Sequence, residues 1–194
     1  MPSLLPALLG LTFGLRHAFE PDHLAAVSAL SVEQKSWRAA TGIGLSWGLG
    51  HALTLLIFGG ALSLFEVTLP HRAAAALELL VAAVIVALGV RAVLHALKQG
   101  RGGPVALHAH GERAHAHPAR GDHLHLLGLT LATRPLLVGA LHGLAGSGAL
   151  ATLVMLELDG FGARLLYLSL FGLGAALSMA ALTAIAGLPL SRVV

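Results

Sequence analysis

The chain has 194 residues, 56% of them hydrophobic and only 11% charged, with a mean hydropathy of +0.83. Soluble domains carry about 25% charged residues, so a soluble globular fold is excluded, and the lack of cysteine removes disulfides, thiolate metal sites and iron–sulfur clusters. The net charge is +3 and the pI near 10.2, but the charges fall mainly between apolar stretches. With no basic domain or aromatic-interleaved patch, they read as topology determinants, not as a nucleic-acid surface.

A membrane-spanning helix needs about 20 apolar residues to cross about 30 Å of hydrocarbon. Five such segments stand out, over approximately 3–30, 40–64, 73–97, 135–157 and 163–187. The first has no positively charged leading region and contains a polar cluster, so it is expected to belong to the mature protein and not to a signal peptide. That cluster is His17-Ala-Phe-Glu-Pro-Asp22-His23. A charged side chain at the centre of a membrane helix costs roughly 2.5–3.5 kcal/mol on insertion scales, so the segment calls for a ligand, a partner or a water-filled cavity. Imidazole and carboxylate together suit divalent transition metals. On a straight helix His17 and His23 would lie about 240° apart, on different faces. Pro21 removes a backbone donor and disfavours helix at Glu20, so a break is expected there, able to fold His17, Asp22 and His23 toward one point. The competing reading sets these residues at an interface, with Arg16 balancing Glu20 and Asp22.

The second segment carries His51 in Gly48-Leu-Gly-His-Ala-Leu-Thr54, the best candidate to complete the ligand set; a hydrogen bond to a neighbouring helix is its alternative role. Between the second and third segments, Glu66 and His71, with Glu78 a little further on, would form either an entrance vestibule or, more simply, interfacial anchors, and Arg91 and His95 would snorkel toward the interface. Residues 98–134 hold three His-x-His pairs, His108/His110, His115/His117 and His123/His125, six histidines in eighteen residues among Gly, Ala, Pro and Arg. This segment is expected to be a flexible, metal-binding loop. The fourth segment contains His142-Gly-Leu-Ala-Gly-Ser-Gly, with no acid adjacent. His142, Ser147 and Glu20 are therefore assigned to the surroundings or pathway of the site, and His17, Asp22, His23 and His51 to metal ligation.

Lysine and arginine concentrate in the first and third connections, including Lys35, Arg38, Lys98, Arg101, Arg113, Arg120 and Arg134, against Arg72 and Arg164 in the other two. The positive-inside rule then places the N-terminus outside and residues 98–134 in the cytoplasm of an inner-membrane protein. Trp47-Gly-Leu-Gly-His-Ala-Leu-Thr54 matches Phe171-Gly-Leu-Gly-Ala-Ala-Leu-Ser178, and His17 falls against His142 at nearly the same offset. An all-α bundle of inverted three-helix repeats follows, with 1–97 as the first copy, 98–134 as the loop and 135–194 as the second. The second copy would lack its third helix, so five spans are visible and a sixth would fall beyond Val194. Having kept one histidine and lost the acid, it would leave the first copy to hold the ion.

Arg16-His-Ala-Phe-Glu-Pro-Asp-His-Leu24 resembles the His-x4-Asp-His signature of the nickel/cobalt transporter family, and Leu49-Gly-His-Ala-Leu53 its second motif. The Glu-Pro variant and His142-Gly-Leu-Ala-Gly-Ser-Gly are most similar to the short, urease-accessory-type branch. Glu20-Pro21 departs from the Asp-Ala common in longer permeases. The resemblance implies a permease for Ni(II) or Co(II), with the ion as cargo and no permanent cofactor, and it transfers to His17, Asp22, His23 and His51. A membrane sensor or chaperone supplying nickel to a partner enzyme is the alternative, and a second copy of the chain is a further expected partner. A metal-dependent hydrolase is disfavoured because no His-Glu-x-x-His or nucleophile motif is present.

Overall fold

The computed structural model describes residues 4–31, 34, 36–99, 107–110, 113–116, 123–126, 129–145, 155 and 157–187. Helix α1 (Leu4–His17) is followed after three residues by α2 (Pro21–Ser31). Helix α3 covers Trp37–Leu64 and passes through a single π turn at Leu55–Gly59. It starts from Ser36, whose hydroxyl accepts from the Ala39 N–H at 3.2 Å and so satisfies one of the otherwise orphaned N-terminal donors. Helix α4 is His71–Gln99, α5 is Thr133–Leu144 and α6 is Phe161–Gly187.

Three helices are long and apolar enough to cross a membrane, Trp37–Leu64, His71–Leu97 and Phe161–Gly187. They correspond to the second, third and fifth expected segments. The first expected segment is the broken pair α1–α2. The fourth is helical over Thr133–Leu144, and most of its remainder lies outside the described residues.

Residues 107–132, expected to be a flexible loop, include two antiparallel hairpins. Strand β1 (Leu107–His110) pairs with β2 (Arg113–Ala116), and β3 (His123–Leu126) with β4 (Leu129–Ala132). Five of the six histidines of that segment fall on these strands. His108 and His110 lie on β1, His115 on β2, and His123 and His125 on β3. The physical reason is the alternation of His with Ala or Leu, a period-two pattern that suits a strand. Each strand pair is also separated in sequence by two positions that include a glycine, the spacing of a tight hairpin.

Helix α6 packs on α1 and on α3, and α3 packs in turn on α5. Small residues make these approaches close, as expected where lipid supplies no hydrophobic drive between helices. Gly48 lies against Ala176 and Gly172 against Ala52, so α3 and α6 run antiparallel. Gly10 lies against Tyr167 and Gly14 against Phe171, so α1 runs parallel to α6. Gly139 against Trp47 and Gly143 against His51 make α5 parallel to α3. The contacts recur in pairs. Gly174 meets Leu11 and Leu15 while Gly50 meets Leu136 and Ala140, and Gly14 meets Phe171 while Gly139 meets Trp47. Each residue stands 124 or 125 positions from its counterpart.

Candidate metal centre

The break after α1 is a tight turn, with Phe19 N–H donating to Arg16 O and Glu20 N–H to His17 O, both at 3.0 Å. Pro21 then occupies the first position of α2, where its missing N–H would have had no helical partner in any case. Leu24 N–H donates back to Glu20 O at 3.0 Å and starts the new helix. His17 therefore ends one helix while Asp22 and His23 begin the next, and the three no longer share a single helical register.

Four imidazoles converge on this break. His23 is fully buried, with the ring of His17 centred 4.3 Å away at 65° and the ring of His142 4.3 Å away at 64°. His51, also fully buried, lies 5.2 Å from His17, 5.4 Å from His23 and 6.0 Å from His142. Asp22 accepts a hydrogen bond from His142 Nε2 at 2.7 Å, and its Oδ2 is 3.9 Å from His23 Nε2. On the other side His17 Nδ1 is 3.1 Å from Glu20 Oε1. The carboxylates reach outward, the Glu20 side chain being 42% exposed and Asp22 33%.

Both nitrogens of His23 and both of His51 are buried without a hydrogen-bonding partner in the protein. Trp47 Nε1, Ser63 Oγ and Tyr167 Oη are unpartnered as well, but of these groups only the imidazoles are good metal ligands, each ring offering one nitrogen to an ion. Among the described residues two sets of three could hold an ion, His17/Glu20/His23 and Asp22/His23/His142, each with its ligand atoms within 4.8 Å of one another. Three ligands sharing one ion at bond lengths of about 2.1 Å lie roughly 3–3.6 Å from one another, so binding would draw these side chains inward.

All four residues assigned to ligation thus come together, and with them Glu20 and His142 from the surroundings. Ser147 and His117 lie outside the described residues. Of the histidines on the hairpins, His108 is in register with His115, so one pair of imidazole-bearing positions is set side by side across β1 and β2. The other three are not paired in this way: His110 is in register with Arg113, His123 with Ala132 and His125 with Thr130. Glu66, His71 and Glu78 are exposed, the first beyond the end of α3 and the other two along the start of α4.

Sequence reasoning missed the aromatic walls. Phe171 lies 5.1 Å from His17, and Trp47 lies 5.2 Å from His23 and 5.7 Å from His142. The available signal was their matched place in the repeated Gly-Leu-Gly motifs. Ser46 was missed as well. It is buried, donates to Gly42 O at 2.7 Å and accepts from Ala132 N–H at 3.0 Å, fixing the start of α5 against α3 and so helping to set His142 in place.

Apolar helices packed through small residues around a buried imidazole–carboxylate cluster define a helical membrane protein with a centre compatible with metal binding. Residues 4–184 match the NicO family model, described as high-affinity nickel-transport protein, and the chain belongs to that family. It is 35% identical over 182 residues to the urease accessory protein UreH of Bacillus sp. (strain TB-90), across 93% of this chain and 75% of that relative. No solved structure matches it. The family places the chain among transporters and accessory proteins, not enzymes.

Proposed function

We propose that the protein is a permease for Ni(II), with Co(II) as the chemically nearest alternative cargo, and that the ion binds at His17, Asp22, His23 and His51 with His142 completing the cluster. The observation that carries this reading is the set of unpartnered nitrogens of His23 and His51 inside an apolar bundle, beside a carboxylate. Imidazole suits nickel and cobalt alike, so the preference for nickel rests on the family.

The scaffold is two inverted copies. Antiparallel packing of α3 on α6 at matched positions supports an axis lying in the membrane plane, since only such an axis exchanges two antiparallel helices. The N-terminus is outside and residues 98–134 are cytoplasmic, where the paired histidines of the hairpins collect or buffer the ion.

Nickel uptake into proteoliposomes tests the site. His23→Ala and Asp22→Ala should each lower the initial rate at least about tenfold, the scale on which metal sites respond to loss of a supporting group. Undiminished uptake by both variants rejects the site. A second reading, delivery of nickel to a maturing enzyme without transport, is favoured by the accessory-protein name of the relative; stoichiometric nickel binding with no flux would select it.

A further inference from the structure

The two flanking histidines stand in nearly identical relation to His23, at 4.3 Å and 65° on one side and 4.3 Å and 64° on the other. Each has its own carboxylate, Glu20 for His17 and Asp22 for His142. We propose that the cluster offers one ion two overlapping positions that share His23, one with His17 and Glu20 and the other with His142 and Asp22, and that transport passes the ion between them. This rests on the permease reading above and deepens it.

Three observations carry the proposal. First, the geometry is balanced although the sequence is not. Both acids come from the turn and first residues of α2, so the first half of the chain supplies a carboxylate to either side and the second half needs only His142. The expectation that the first half alone holds the ion is replaced by a shared arrangement. Second, His17 and His142 close the last turns of α1 and α5. These helices run in opposite directions, because α1 is parallel to α6, α5 is parallel to α3, and α3 and α6 are antiparallel. The two helices thus arrive at the cluster from opposite ends of the bundle. Third, exposure falls from both carboxylates toward His23, which is fully buried with both nitrogens unpartnered.

A single central imidazole lets the ion leave one carboxylate before it reaches the other without ever losing all its ligands. Because the two positions overlap on one imidazole, they are filled one at a time. An aromatic ring stands beside each flanking histidine, Phe171 at 5.1 Å from His17 and Trp47 at 5.7 Å from His142.

The test uses the full chain, Co(II) as the spectroscopic probe and Ni(II) flux in proteoliposomes. Glu20→Gln and Asp22→Asn keep the size of partly exposed side chains, and a thermal melt confirms that each variant folds. With the six histidines at 108, 110, 115, 117, 123 and 125 replaced by alanine, so that only the cluster is counted, the otherwise wild-type chain should bind one Co(II). Each single variant should still bind one, with a visible absorption band altered differently in the two, and should carry Ni(II) at no more than one-tenth of the wild-type rate. The double variant should bind Co(II) more than a hundredfold more weakly. Wild-type spectrum and flux in Glu20→Gln, or two Co(II) bound per chain once the six loop histidines are replaced, would overturn the shared-histidine relay while leaving the permease intact. A wild-type protein that neither binds Co(II) nor carries Ni(II) would remove both.

Discussion

Helices α4 and α6 are similar in length and both apolar, yet they occupy opposite environments. The more hydrophobic one is outside. Over their most apolar windows α4 has a mean hydropathy of 2.5 and is 6% buried, whereas α6 has 1.9 and is 50% buried. Helix α4 exposes Leu79, Val86, Val90, Val93 and Leu97, while α6 buries Gly172, Gly174, Ala175, Ala176 and Ser178. In water the greasier helix would be drawn inside. In lipid the tails solvate leucine as well as protein does, and the helix whose backbone can be approached most closely takes the centre. That is also the helix that can frame a polar cluster, because close backbones leave room for imidazoles and little for anything else.

Glycine substitutions discriminate most sharply between the two environments. A Cβ on Gly50 or Gly14 would run into the main-chain oxygen of Leu136 or Phe171, which cannot swing aside. Gly50→Ala and Gly14→Ala should each destabilise the bundle by about 3 kcal/mol or more, read as a fall in melting temperature in detergent. Gly172→Ala should cost about 2–3 kcal/mol, since its new methyl would lie 2.8 Å from that of Ala52, which moves only with its backbone, a milder overlap than at Gly50. On α4, a methyl added at Gly89 would meet nothing within 4 Å, so Gly89→Ala should stabilise the helix by up to about 1 kcal/mol. Val86→Ala on the same helix should change stability by no more than about 0.5 kcal/mol. Loss of stability at Gly89 comparable to that at Gly50 would mean that α4 is a packed element, and the contrast would fail.

Much of this was legible in the chain because local chemistry dictated it. Pro21 after Glu20 marks a helix break by sterics alone, and the break lies where expected, between His17 and Pro21. Long apolar runs placed α3, α4 and α6 to within three residues at their starts. The hairpins were overlooked because the histidine content of stretches such as His123-Leu-His125-Leu drew attention away from the period-two alternation they carry. The place of His142 was not legible. Its hydrogen bond to Asp22 spans 120 positions, and no local pattern reports which distant helix returns to a site. Trp47 and Phe171 were visible only as members of a repeat, since an aromatic on an apolar helix is ordinarily just bulk.

The unpartnered nitrogens of His23 and His51 also bear on how long the protein survives in its membrane. A buried donor or acceptor left unsatisfied costs about 1–3 kcal/mol, and the two rings of His23 and His51 carry four such atoms among those in the core. On the permease reading, an ion that coordinates one nitrogen of each ring relieves part of this burden in the folded chain alone, and a ligand at a hundred times its dissociation constant adds about 2.7 kcal/mol to stability by mass action. Cargo then doubles as a folding cofactor, and the lifetime of the transporter becomes a readout of metal supply, without a dedicated sensor.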